Sequence, residues 1–257
     1  MPSITQTFPP SSTSNEWREL LVALTSPYPT IPDLKTSHTP DSAEFTLITS
    51  KMPTRHSKLL PTISKRYSAL LAHTGATIEI SPESLAIAAD FAIRIGGPNP
   101  SSPLTELHRS KMPSGAALIL DYGPSDIIPT NSLRGIRAHR PASPFTSPGL
   151  VDVSADVDFI GLAHAALDAS PGVEVHGPVE QASFLWAMGI KERAEILEKA
   201  ARKRSDEEGA ERVMGAWKRL VDRGPSGMGR IYKAMAILPH QEGRVRRPVG
   251  FGGDISI

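Results

Sequence analysis

The feature that most constrains the fold is a well-signalled helix that leads, through one loop, into a continuous apolar run. Ser81 reads as the N-cap, Pro82 occupies the first turn, Glu83 complements the dipole and Gly96 stands just past the end. Leu85, Ala88, Ala89, Ala92 and Ile95 recur at helical spacing, so one stripe faces inward, and such a stripe suits a helix lying on a sheet. After a loop over 97–114, residues 116–120 (AALIL) are uniformly apolar and end in Asp121, Tyr122 and Gly123. An unbroken apolar run predicts a strand covered on both faces, and helix followed by strand predicts an α/β sheet.

The remaining elements are read around this pair. Residues 16–24 and 44–49 predict two strands joined by a long Pro/Ser/Thr-rich connection, and 77–80 (TIEI) a brief strand. Pro61 would break a helix begun before it, which leaves 62–72 for a short one. Asp156 can cap a helix reaching Leu167, and 173–176 (VEVH) is a short strand. Helices are expected over 180–188, 191–204 and 206–223, and a last strand over 231–238. The long connection over 124–154, rich in Ser, Thr and Pro, is unusual in a compact domain unless it covers something. With 257 residues one large domain is expected, over 16–238, between a flexible segment over 1–15 and a loose Gly/Arg-rich tail over 239–257.

Several function classes are disfavoured. The chain has no cysteine, which excludes disulfides, thiolate metal sites and cysteine nucleophiles. A net charge of +1 gives no electrostatic ground for nucleic acid as an obligatory partner. No apolar run approaches the ~20 residues that cross a bilayer, and the Pro/Ser/Thr-rich start shows no targeting segment.

Gly224, Gly227 and Gly229 invite a phosphate-loop reading, but a helix precedes them and a strand follows, the reverse of the order that aims a helix N-terminus at an anion. They read as a helix stop and turn. No serine lies in a GxSxG elbow, and the eight histidines form no pair at i+4, so no metal site is assigned. Asp156 and Asp158 (ADVDF) could bind a cation or act as a base, although acids at a helix start ordinarily cap it. Asp121, Tyr122 and Gly123 weigh more, because open parallel sheets bind ligands outside the carboxyl ends of their strands. Equally consistent is a packing role, with Asp121 capping the next turn and Tyr122 under the long connection.

In order along the chain, TIEISPESLAIAADFA, GAALILDYG, SLRGIRAH, PGLVDVSADVDF, QASFLWAMGI and MGRIYKAMAIL resemble the second half of the MidA-like protein arginine methyltransferase family, the complex I assembly-factor type. The resemblance covers residues 17–238 and implies an incomplete Rossmann-like sheet of the class I S-adenosylmethionine-dependent type, with flanking helices. It also implies a mitochondrial protein that methylates an arginine of a complex I subunit during assembly. The family's glycine-rich first-strand loop and its N-E-F-F-D-type block have no match here, so no cofactor-binding or catalytic residue carries over. What matches is the Asp121–Gly123 strand end and the loop with Arg134, Gly135 and His139. The resemblance therefore implies acceptor-side roles: Asp121, Asp156 or Asp158 holding a guanidinium by charge-assisted hydrogen bonds, and Tyr122 or His139 lining its path. A non-catalytic assembly module that keeps the partner surface is the alternative.

Overall fold

The computed structural model describes residues 6–7, 16–25, 44–101, 112–243 and 247–252. In chain order these form β1 (Gln6–Thr7), β2 (Leu20–Leu24), β3 (Phe45–Thr49), α1 (Arg55–Leu59), α2 (Lys65–Ala69), β4 (Glu79–Ile80), α3 (Pro82–Gly96) and β5 (Ala117–Tyr122). There follow β6 (Arg134–Arg137), β7 (Arg140–Ala142), β8 (Asp152–Ser154), α4 (Phe159–Ala169), β9 (Val173–Glu180), α5 (Gln181–Ala187), α6 (Ile190–Lys203), α7 (Glu207–Val221) and β10 (Tyr232–Pro239). They divide between two compact units, 1–83 with 128–156, and 84–127 with 157–257.

In the first unit β2 and β3 pair antiparallel from Leu20↔Thr49 to Leu24↔Phe45, as the two apolar runs predict; the connection over 26–43 lies outside the described residues. Pro61 acts as expected: α1 stops at Leu59, Pro61 sits in the first turn of a 3-10 segment, and α2 starts afresh with the Ser64 side chain accepting the Arg66 N–H. Trp17, Leu60, Tyr67, Ile78 and Ile80 form its buried apolar set. The connection over 124–154 is not a simple loop, because β7, β6 and β8 form a three-stranded antiparallel sheet in that order. Its first hairpin turns on Ala138 and His139, both at positive φ. Non-glycine residues carry that turn at a conformational cost, so the usual Asn-Gly signal was absent.

In the second unit β10 lies between β5 and β9 and runs antiparallel to both, so β5 and β9 are parallel to each other. α3 and α4 cover one face, with Ala88, Ala92, Phe159, Leu162 and Ala166 against Ile119, Met235 and Ile237. The two helix ends meet so closely that a Cβ on Gly172 would stand 2.2 Å from the Gly96 carbonyl oxygen. The other face is covered over β10 by Phe184 of α5 and by Phe251, which lies beyond the last strand. It is not covered over β5: Leu118 and Leu120 are 52% and 48% exposed. The expectation of a strand buried on both faces is thus corrected. The apolar run fits both-sided burial, but a strand at the sheet edge has its second face covered only if a further layer reaches it.

Two boundaries also move. Asp156 does not cap α4; Asp158 does, accepting the Gly161 N–H at 3.0 Å. β9 continues four residues beyond the predicted 173–176, past a cis Gly177–Pro178 bond and a bulge against β10.

Candidate functional site

In the second unit Asp121 and Tyr122 are the last two residues of β5 and Gly123 stands just beyond it. The Asp121 carboxylate accepts the Tyr122 N–H at 2.8 Å, and the Tyr122 ring stands edge-on to Tyr232, centroids 5.3 Å apart. Gly123 is required by contact rather than by its dihedrals. A Cβ there would lie 2.4 Å from the Val157 carbonyl oxygen, and Val157 N–H bonds back to the Tyr122 carbonyl at 3.0 Å. The chain entering α4 therefore lies directly on the end of β5, and Asp158 follows one residue later as the α4 cap.

Across the same end, Lys233 of β10 is in register with Asp121 on one side and with Glu180 of β9 on the other. Lys233 is only 6% exposed, and its ammonium donates to the Arg230 and Ile231 carbonyls. Glu180 is held from outside by Arg223 at 2.6 Å. A charged row thus crosses all three strands at the carboxyl end of β5, able to orient a polar group presented there. Sequence reasoning passed over Lys233, although a lone lysine inside an otherwise apolar strand (IYKAMAIL) is its own signal, since lysine is rarely buried without partners.

The first unit brings together two of the other candidates. Arg134 Nη1 donates to Asp156 Oδ1 at 2.8 Å and to the Ser132 carbonyl at 2.9 Å. Behind them Glu79, 3% exposed, accepts the Ser132 N–H at 2.8 Å and the Ser132 hydroxyl, whose oxygen in turn accepts the Asp156 N–H at 2.8 Å. The guanidinium that Asp156 grips is therefore one from its own chain. Glu79 also escaped the sequence reading; an acid inside a β-branched strand (TIEI) could have flagged it. His139 stands at the exposed tip of the β6–β7 turn, and Gly135 is buried in β6 between its neighbours.

The fit of an S-adenosyl donor can be tested on the glycine cluster that follows α7. A Cβ on Gly227 would lie 2.1 Å from the Asp222 carbonyl oxygen, one on Gly229 would lie 2.5 Å from that of Val221, and Gly224 N–H binds the Asp222 carboxylate at 2.9 Å. The space those glycines open is filled by the chain's own backbone and by an acid, so they form a closed turn and do not fit the donor. Among the described residues no group of three His, Asp or Glu side chains could hold a metal ion, and no helix is long and apolar enough to cross a membrane.

Residues 10–179 match a protein family described as "Putative S-adenosyl-L-methionine-dependent methyltransferase". The chain is 32% identical over 185 residues to the zebrafish (Danio rerio) protein arginine methyltransferase NDUFAF7, mitochondrial, covering 72% of this chain and 34% of that protein. Its mouse (Mus musculus) counterpart is 37% identical over 127 residues, 49% of this chain and 27% of the relative. A crystal structure from Burkholderia thailandensis, described as a likely methyl transferase of the COG1565 superfamily bound to S-adenosyl-homocysteine, superposes with a TM-score of 0.60 at 19% identity, over 91% of this chain and 50% of that one. The chain thus spans about a third of the curated relatives' length and half of the solved neighbour's. With the family match extending over more than half of its residues, and the incomplete Rossmann-like α/β sheet shared with the solved neighbours, the chain belongs to the MidA-like family of S-adenosylmethionine-dependent methyltransferases.

Proposed function

We propose that this chain is the acceptor-side, C-terminal part of a protein arginine methyltransferase acting in mitochondria on a subunit of complex I during its assembly, and that these residues alone do not complete the donor site. The observation that carries the reading is the charged row at the carboxyl end of β5, Asp121 beside the buried Lys233, on a three-stranded sheet whose outer strands are parallel. The name of the mouse and zebrafish relatives supports the arginine and the mitochondrion.

The donor, when bound, supplies an electrophilic methyl group, and no residue described here is assigned to hold it. What the chain's own residues contribute is position. A carboxylate fixed on a strand end can accept two parallel N–H bonds from a guanidinium and hold its nitrogen in one orientation. The edge-to-face Tyr122–Tyr232 pair forms an apolar wall beside it. The test is transfer of labelled methyl from S-adenosylmethionine to arginine in a complex I preparation. It is run with the chain alone and with the chain plus the portion of the zebrafish relative that has no counterpart here. Label is expected only in the mixture and is expected to fall at least tenfold with Asp121→Asn. No labelled arginine in the mixture removes the activity, and donor binding by the isolated chain at micromolar affinity removes the division of labour.

A second reading, a non-catalytic assembly module that retains the partner surface, is favoured by one observation. The carboxylate of the loop sheet is already committed to the chain's own Arg134. Capture of a complex I subunit by the chain with no arginine methylation would select it.

A further inference from the structure

The turn between α6 and α7 holds a serine where its geometry calls for glycine. The Ser205 N–H bonds to the Arg202 carbonyl at 2.9 Å and the Asp206 N–H to the Ala201 carbonyl at 3.0 Å. This pair of bonds closes the last turn of α6 and holds Ser205 in the left-handed region, at φ 58°. Glycine is the usual occupant of such a position, because any Cβ is strained there. Ser205 carries that cost with no structural return: the residue is exposed, and its hydroxyl makes no hydrogen bond among the described residues. A strained, exposed residue that neither packs nor bonds points to a use outside the fold.

The flanking charges indicate what use. Arg202, Lys203 and Arg204 precede Ser205, and Asp206, Glu207 and Glu208 follow it. Protein kinases select an acceptor hydroxyl by such charge patterns, either basic residues ahead of it or acidic residues behind it. Here the three acids are committed within the chain. Asp206 accepts the Gly209 N–H at 2.8 Å as the cap of α7, Glu207 pairs with Arg202 at 2.5 Å, and Glu208 pairs with Arg212 at 2.6 Å. The basic side is more available. Lys203 and Arg204 are exposed and join no ion pair among the described residues, while the Arg202 side chain is 51% exposed, in surface pairs that solvent screens. Helix ends fray, so the last turn of α6 can open to present these cations and the serine to a kinase groove.

We propose that Ser205 is a phosphorylation site, selected by an arginine-directed serine kinase through Arg202, Lys203 and Arg204. The serine hydroxyl oxygen forms a bond to the γ-phosphorus of ATP, and the bond from that phosphorus to the oxygen bridging it to the β-phosphate breaks. The hydroxyl proton passes to a carboxylate of the kinase, and ADP leaves. The phosphoryl group brings a charge of about −1.5 to −2 to the α6–α7 junction. There it stands beside the acids that start α7 and competes with Glu207 for Arg202, so the modification acts on that junction. The proposal is independent of the methyl-transfer reading.

The experiment incubates the full chain with γ-labelled ATP and the catalytic subunit of cyclic-AMP-dependent protein kinase, and in parallel with an acid-directed casein kinase. Label is counted and its position mapped by fragment mass spectrometry. The arginine-directed enzyme is expected to phosphorylate Ser205 with a kcat/KM at least tenfold above that of the acid-directed one. Ser205→Ala, which keeps the Cβ, is expected to remove the label with the melting curve in place. The double variant Arg202→Gln, Lys203→Gln is expected to lower the rate at least tenfold, with helix content checked by circular dichroism. Ser205→Gly separates the site from a structural serine: it is expected to raise the melting temperature by about 2–4 °C, since it relieves the strained Cβ. The proposal is overturned if Ser205 takes up no label, if the acid-directed kinase is the more efficient, or if the folded double variant is labelled at the parent rate. It is also overturned if Ser205→Gly fails to raise the melting temperature, because the serine then serves the turn itself.

Discussion

Replacing Gly123 by alanine should destabilise the second unit by about 1.5–3 kcal/mol, for a steric reason alone. Its φ lies outside the left-handed region, so an alanine meets no backbone penalty, and loss of chain freedom in the unfolded state even returns about 0.4–1 kcal/mol. Against this, the new Cβ would lie 2.4 Å from the Val157 oxygen and 2.9 Å from its nitrogen, roughly 1 Å inside ordinary contact. Forcing such a contact into packed backbone costs about 1–3 kcal/mol. Separating the two segments also strains the Val157 N–H bond to Tyr122, worth about 1 kcal/mol. The matched control is Gly215→Ala, at an exposed interior position of α7 with nothing within 4 Å of the added carbon, where alanine should stabilise by up to about 1 kcal/mol. Urea unfolding followed by far-UV circular dichroism gives both, with slopes compared because two compact units need not unfold together. The reasoning is refuted if Gly123→Ala is as stable as the parent, or if the two substitutions shift the midpoint in the same direction.

Phe159→Ala, which removes a fully buried ring from the cluster under the sheet, should cost about 3–5 kcal/mol in the same titration. Asp158→Ala should lower the stability of α4 by about 1 kcal/mol, whereas Asp158→Asn, which can still accept the Gly161 N–H, should change it far less; helix content against temperature separates them. A double-mutant cycle on Arg134 and Asp156 should return a coupling of no more than about 1 kcal/mol, because the side chains are 38% and 30% exposed and solvent screens the pair. Glu79→Ala should cost more than either member of that pair, about 1–3 kcal/mol, since it strands two part-buried Ser132 donors; Ser132→Ala added to it should cost little more, and full additivity would refute the network.

What could be read from the sequence follows the range of the physics that writes it. Local signals were legible: Pro61 stops α1, the α3 stripe faces its sheet, and the order of helix and strand around Gly224–Gly229 excluded a phosphate loop that the filled turn also excludes. The sheet over 134–154 was not legible, because its strands are three or four residues long and its turn uses Ala138 and His139 where sequence rules look for glycine or asparagine. The choice between Asp156 and Asp158 as cap was equally hidden. Both are good capping residues two positions apart, and the difference is made by Arg134, twenty-two residues upstream, which takes the first. Of the candidate site, Asp121 and Tyr122 stand out in the sequence by their place after an apolar run, but Lys233 acquires meaning only through a register set by β10 returning between β5 and β9.

That register also ranks the three candidate carboxylates. Asp158 holds the first turn of α4, and Asp156 holds a guanidinium of its own loop sheet, so each already carries a structural task that its removal would disturb. Asp121, whose carboxylate accepts the Tyr122 N–H, is placed by a strand of the main sheet, and a group on a strand is held more precisely than one on a loop. A carboxamide at 121 should therefore act mainly on turnover, with the fold retained. At 156 the same change should loosen the grip on Arg134, and at 158 it should leave the α4 cap nearly intact. A reaction that needs a guanidinium nitrogen in one fixed orientation is better served by the strand end than by either loop acid.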